Sequence, residues 1–524
     1  MEFKDQVFKI RKEMNMTQEQ FAAEFDVSKQ AVQKWESGNA YPEITKIIEI
    51  GKRFDISLDT LLLGRDMRAV EEIKSKNIIA PNYSPVLSGE FYASALMTEY
   101  EQCVDEGLDI EAYKDVFAAV SKLQQGEIKQ KFGDVIFELV VNAERRKDYT
   151  YIEPSDLETI RKYRKPYNKI QCGVKTASDN KILGAWTGRI CGCMLGKLIE
   201  GIRSNELTRF LKETDNYPMH RYILKSDIEK IDLTSYKFGF NRRNCYADCI
   251  DGMPPDDDTN YTVLSQEIIE KHGRDFAPCN VAQAWLQYQP RNAYWTAERV
   301  AFRNFVNGYE PPHSAVYKNP YREWIGAQIR ADYYGYINPG EPELAAEMAW
   351  RDASISHVKN GIYGAMFVSA MLAVAALTNN IEDIILSGLA QIPCTSRLYE
   401  DVMTVLDGYK NGVSQKECIK NIHEKYDEHT GYGWCHTNSN AMIVAASLLY
   451  GNGDYGKSIC MAVESAFDTD CNGATVGSVL GMANGIESIP ECWTKPIGNK
   501  LNTSICGMGA VDITELAKKT LSHL

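Results

Sequence analysis

GAWTGRICGCMLGKLIEG, residues 184–201, sets Gly184, Gly188, Gly192 and Gly196 four residues apart. DTDCNGATVGSVLGMANG, residues 468–485, repeats the pattern with Gly473, Gly477, Gly481 and Gly485. A spacing of four falls on one face of an α-helix. Inside a helix glycine costs about 1 kcal/mol relative to alanine, so a stripe of it means that another backbone comes close to that face. A run of glycine loops fits less well, because Trp186, Met194, Leu195, Val479 and Leu480 keep helical spacing between the glycines. The reading is an all-α body with tightly packed helices.

Two acidic stretches sit at helix starts in the same region. PPDDDT, residues 254–259, precedes a helical run from Tyr261 to Lys271, and Asp468-Thr469-Asp470 opens the second glycine ladder. Capping of the helix and its dipole accounts for one aspartate at each start. Three consecutive carboxylates repel one another unless a cation holds them. Asp256, Asp257, Asp258, Asp468 and Asp470 together offer the hard oxygen donors that suit Mg²⁺ or Mn²⁺. From the residues alone, capping and a metal centre both stay open.

Around these stretches the chain reads as an ordinary globular protein. It has 524 residues, 44% apolar and 25% charged, with a net charge of −13. Residues 1–65 hold 10 Lys and Arg against 11 Asp and Glu, so −12 of that charge lies in the remainder. Any nucleic-acid contact must therefore be local and steeply salt-dependent. Fourteen cysteines form no compact framework. The pairs Cys191/Cys193 and Cys245/Cys249 lack a second pair at zinc-finger spacing, which favours reduced thiols. The start, MEFKDQVFKIRKEM, lacks the apolar core of about 7–15 residues that a secretory signal carries. The 16-residue run Ile362–Leu377 is short for a membrane span and reads as a buried helix. A cytoplasmic protein with no membrane partner is expected.

Residues 1–66 read as a separate helical head. Thr17 with Gln20 makes a capping box, Phe21, Ala22 and Phe25 give an apolar face, and Asp26-Val27 makes a turn. Ser28 caps a second helix that runs to about Ser37, with Gly38 just past its end. On that helix Ala31, Val32 and Trp35 face one way and Lys29, Gln30, Gln33 and Lys34 the other. Such Gln and Lys side chains suit base edges and phosphates in a major groove. The stretch resembles the lambda-repressor/Cro-like helix-turn-helix family through Thr17-Gln18, Val27-Ser28, Trp35-Glu36-Ser37-Gly38 and Pro42. The resemblance implies DNA binding, with Thr17 and Gln18 near the phosphate backbone and the face from Ser28 and Lys29 onward toward bases. Residues 67–148 show helical patterns over Leu87–Glu106 and Ile110–Ala143 but no chemical motif, and read as a connector or dimerisation segment.

Residues 149–524 resemble the ADP-ribosylglycohydrolase family in four ordered pieces: GAWTGRICGCMLGKLIEG, DDDTNYT (256–262), SISHVKNGIYGA (354–365) and DTDCNGATVGSVLGMANG. The resemblance implies an orthogonal α-bundle with two Mg²⁺ ions in a cleft and hydrolysis of an ADP-ribosyl bond. Carried over, Asp257 with Asp258 and Asp468 with Asp470 are metal-binding pairs. Glu200 is an acidic active-site residue, and Ser356 and His357 lie near substrate. Three positions depart from the family pattern: Asp256 stands where Thr is usual, Cys471 follows Asp470, and Cys193 replaces an aspartate. Glu200 or one of the aspartates, Asp257 and Asp470 among them, would be the acid/base. The expected partners are DNA through residues 1–66, an ADP-ribosylated protein or small ADP-ribosyl compound, and a second copy of the chain. The alternative is a regulator whose body senses an ADP-ribose-like nucleotide without turnover.

Overall fold

The architecture was read from a computed structural model that describes residues 3–64, 89–170, 176–240 and 245–524. The chain divides into two units, Met1–Pro85 and Val86–Leu524.

Among its described residues the first unit holds five helices, Phe3–Glu13, Gln18–Glu24, Lys29–Ser37, Ile44–Phe54 and Leu58–Leu63. Its capping follows the local sequence. The Gln20 amide donates to Thr17 Oγ1 at 3.2 Å and the Thr17 amide to Gln20 Oε1 at 2.8 Å. The Ala31 amide donates to Ser28 Oγ at 3.2 Å, and Gly38 ends its helix at φ 76°, a left-handed conformation that glycine adopts without strain. Phe21, Val32, Trp35, Ile50 and Leu61 fill the core, and the Phe21 and Phe54 rings stack at 5.8 Å.

The second unit begins with helices Leu96–Asp105, Lys114–Ser121 and Glu127–Val141. These fall within the stretch expected to be a connector, yet they belong to the same unit as the body. The reason is a buried ionic network. Arg322 reaches Glu99 Oε1 at 2.9 Å and Glu106 Oε1 at 2.6 Å, Lys359 reaches Glu106 Oε2 at 2.7 Å, and the Gln102 amide donates to Glu323 Oε1 at 2.9 Å. These partners lie more than 200 residues away in sequence, beyond the reach of local pattern reading. A pair buried this deeply holds its segment in place, because breaking one partner away strands the other charge.

At the centre of the body runs helix Lys359–Ala375, buried from Asn360 onward. The apolar run Ile362–Leu377, which overlaps it, is therefore core. Among the described residues no helix is long and apolar enough to cross a membrane. The glycine-ladder helices Asp179–Lys197 and Thr469–Asn484 pack antiparallel, backbone against backbone. Gly184 faces Gly481, Gly188 faces Gly477 and Gly192 faces Gly473, each so closely that an added Cβ would overlap the opposite carbonyl. A two-stranded hairpin, Lys500–Asn502 with Ala510–Asp512, is the sheet among the described residues. Its Leu501 also bridges Met253, through the Met253 amide to Lys500 O and the Asn502 amide to Met253 O, both 2.9 Å. That bridge pins the loop entering the first acidic stretch.

Candidate metal centre and nucleic-acid interface

The ladder determines where the carboxylates go. At its last step Gly196 faces Thr469 and Asp470, and an added Cβ would overlap the backbone of both. Thr469 Oγ1 donates to the Gly196 carbonyl at 3.0 Å. The end of the first ladder helix, with Lys197 and Glu200, thus meets the start of the second, with Asp468 and Asp470. Two consecutive non-glycine residues before that start, Ala466 (φ 60°) and Phe467 (φ 58°), are left-handed. Backbone strain of this kind is kept where the surroundings impose it, and here Trp434 Nε1 donates to Phe467 O at 2.7 Å.

The third contributor is helix Asp257–His272, capped by Asp256, whose Oδ1 accepts the Asp258 amide at 2.9 Å. Capping and site-building therefore coexist in one residue. The helix is tied to the ladder by Arg189, which is fully buried. Arg189 donates to the Asp258 carbonyl at 2.8 and 3.1 Å and pairs with Asp258 Oδ1 at 3.2 Å and Asp332 Oδ2 at 2.9 Å.

Asp256, Asp257, Asp468, Asp470 and Glu200 line one cavity of about 820 Å³. Asp258 is fully buried against Arg189, outside that lining. Donor atoms of Glu200, Asp468 and Asp470 lie within 4.8 Å of one another, and the same holds for Asp258, Asp470 and Cys471 and for Cys193, Asp256 and Asp258. Asp258 Oδ2, Asp468 Oδ1 and Asp470 Oδ1 are buried without a hydrogen-bond partner. A buried carboxylate oxygen without a donor is expensive, and a cation beside Glu200, Asp468 and Asp470 would satisfy those of Asp468 and Asp470. The donor set fits a divalent ion.

The electrostatics point the same way. Burial, then the neighbouring carboxylates, push Asp257 and Asp470 well above the usual carboxylate range. Burial and Asp256 do the same to Asp258. Asp468 rises to about 6 through burial and Glu200. Burial would also raise Asp256, but the Lys197 ammonium on its Oδ2 wins and holds it below the ordinary value. Like charges crowded in low dielectric hold protons until a cation replaces them.

Ser356 and His357 are not in the cavity wall. Both are buried behind it, where Ser356 Oγ accepts from Arg330 at 2.8 Å and lies 2.8 Å from His357 Nδ1. Arg330 in turn holds Glu298 Oε1 at 3.1 Å, and Glu298 does line the cavity. The expected substrate contacts thus back a wall residue, because the turn before helix Lys359–Ala375 points their side chains inward. Sequence reasoning missed Lys197, Glu298, Trp295 and Trp434, all in the lining. Lys197 had a signal, lying one helical turn past Cys193 and three residues before Glu200; Glu298 had none. Burial raises the Glu298 carboxyl to about 7 against the opposing pull of Arg330.

In the head, Ser28, Lys29, Gln30, Gln33 and Lys34 are exposed along one helix face while Val32 and Trp35 are buried. Thr17 is exposed at its helix start, and Lys29 is ion-paired with Glu19. Gln18 is half-buried and donates to Glu36 Oε2 at 2.7 Å, and Arg11 grips Glu36 from the other side at 2.5 and 3.0 Å. Gln18 is thereby tied to the end of the exposed helix.

Residues 175–523 match the family described as ADP-ribosylglycohydrolase, and residues 7–61 match a helix-turn-helix family. Over 84 residues the chain is 34% identical to the HTH-type transcriptional activator BcrR of Enterococcus faecalis, a match covering 16% of this chain and 41% of that protein. The chain thus spans less than half the length of that relative. A solved structure described as an ADP-ribosylglycohydrolase-related protein complex covers 66% of this chain and 97% of its own, at 18% identity and a TM-score of 0.41.

Proposed function

This chain belongs to the ADP-ribosylglycohydrolase family, and from that premise we propose that its body is a cation-dependent hydrolase of an ADP-ribosyl, or related ribosyl, glycosidic bond, carried by a DNA-binding head. The observation that carries the proposal is the set of buried, donorless oxygens on Asp468 and Asp470, in the same cavity wall as Asp257 and Glu200. A bound divalent cation, Mg²⁺ or Mn²⁺, supplies Lewis acidity toward ribose hydroxyls and water. Glu200, Asp468 and Asp470, whose donor atoms lie together, would hold that ion, Asp257 stands in the same cavity wall, and Asp258 braces the site through Arg189. Trp295 and Trp434 offer flat apolar walls to a nucleoside. Glu200, Asp257 or Asp470 takes the proton of the attacking water.

The head's exposed face from Ser28 to Lys34 suits a major groove, and two heads on two half-sites make a homodimer the working assembly. The insertion of Lys197 among the carboxylates favours a second reading, in which the body binds an ADP-ribose-like nucleotide without cleaving it and the head reports the binding.

The test is release of free ADP-ribose from an ADP-ribosylated protein in the presence of Mg²⁺. Wild type should release it, EDTA should stop it, and Asp257→Asn and Asp470→Asn should each lose at least about 100-fold. Tight binding of ADP-ribose with no release from any substrate would replace the hydrolase by the sensor.

A further inference from the structure

We propose that the Lys197 ammonium is a resident cation of the carboxylate centre, so that the body binds one divalent ion per chain although its acidic stretches carry enough carboxylates for two. The proposal rests on the reading that the centre binds a divalent ion, and states how many.

The cluster has two unequal corners, joined by a third group of donors, Asp258, Asp470 and Cys471, in which Asp258 is paired with Arg189 and Cys471 is a thiol. At one, donor atoms of Cys193, Asp256 and Asp258 come together. Both carboxylates there already face a protein cation. Lys197 Nζ is bonded to Asp256 Oδ2 with side chains 13% and 2% exposed, and Arg189 is bonded to Asp258 Oδ1 and to its carbonyl. The third donor, Cys193, is a thiol, a soft ligand that a hard ion disfavours. An ion entering this corner would have to expel a nearly buried ammonium from a nearly buried carboxylate.

At the other corner lie donor atoms of Glu200, Asp468 and Asp470, all oxygens. Among the described residues Asp468 and Asp470 make no salt bridge, and each keeps a buried oxygen without a donor. This corner is built for an ion, and the first is already neutralised. Lys197 stands one residue past Gly196, where the ladder brings Asp470 against the first helix. Its tether therefore places the ammonium in the cluster without an external ligand. Asp256 has its counter-charge in Lys197.

The experiment is a Mn²⁺ titration of the EDTA-stripped full-length protein, with free ion read from the electron paramagnetic resonance of hexaaquo-Mn²⁺. One ion per wild-type chain is expected. Lys197→Met keeps the length of the side chain and removes its charge, and should bind two ions, while Lys197→Arg should keep one. Circular dichroism and thermal melting establish that each variant is folded. Two ions in the wild type, or one in a folded Lys197→Met, overturns the proposal and leaves the divalent centre standing. No ion in the wild type removes the centre itself. Because the wild-type count is decisive alone, a variant that does not fold leaves the proposal falsifiable.

Discussion

Replacing Gly192 by alanine tests whether the ladder positions the site. A Cβ there would lie 2.5 Å from the Gly473 carbonyl carbon and closer still to its oxygen. Both obstacles are backbone, so no rotamer change relieves the clash, and clearance requires the two helices to part by more than about 1 Å, since relaxed carbon contacts begin at about 3.5 Å and the carbonyl oxygen is nearer than the carbon. Overpacking typically costs about 1–3 kcal/mol. The expected cost is at the top of that range, about 3 kcal/mol, because parting the helices at Gly192 also loosens the Gly188 and Gly477 step. The helix-propensity gain of alanine, about 1 kcal/mol, is included in that net. The control is Gly431→Ala, where nothing lies within 4 Å of the added Cβ; it should be neutral or slightly stabilising. Urea unfolding followed by the fluorescence of tryptophans such as the fully buried Trp186 reads both. Gly192→Ala should also weaken Mn²⁺ binding in the folded protein, since the ladder sets the position of Asp470. A Gly192→Ala protein within 0.5 kcal/mol of wild type, with unchanged Mn²⁺ affinity, would refute the reasoning.

Further outcomes follow from the same physics. Arg189→Met strands the buried carboxylates of Asp258 and Asp332; urea melts should show a loss of about 3–5 kcal/mol. Glu298 has a folded-state pKa raised to about 7 from 4.5, so its contribution to stability is full below about pH 4.5 and is lost as pH rises through 7. Glu298→Gln should remove that loss, gaining up to about 3 kcal/mol over wild type at pH 8 and little at pH 5, measured by melts across pH. In the head, Lys34→Ala should weaken binding to all duplexes and flatten the salt dependence, while Gln33→Ala should cost about 1–3 kcal/mol at preferred sites only; selection from a random duplex pool followed by fluorescence anisotropy separates the two.

What the sequence made legible was local or periodic. Thr17 with Gln20, Ser28 and Gly38 announce their caps because the partners are three or four residues away. The glycine stripes announce close backbone contact, although only the fold shows that each stripe is the other's partner. The acidic stretches are visible as charge, and their meeting follows once the ladder ends at Gly196 against Asp470. Side-chain direction was not legible. His357 is buried and does not line the cavity, and Glu298 arrives there from a helix with no motif. The docking of helix Leu96–Asp105 was hidden for another reason, since Arg322 and Lys359 are too distant in sequence to be paired with Glu99 and Glu106 by pattern.

The most direct test is a crystal of the protein grown with Mn²⁺ and measured at the manganese absorption edge. An anomalous peak bounded by Glu200, Asp468 and Asp470 is predicted. A saturated crystal with no peak there, or with manganese only elsewhere on the molecule, would contradict the account.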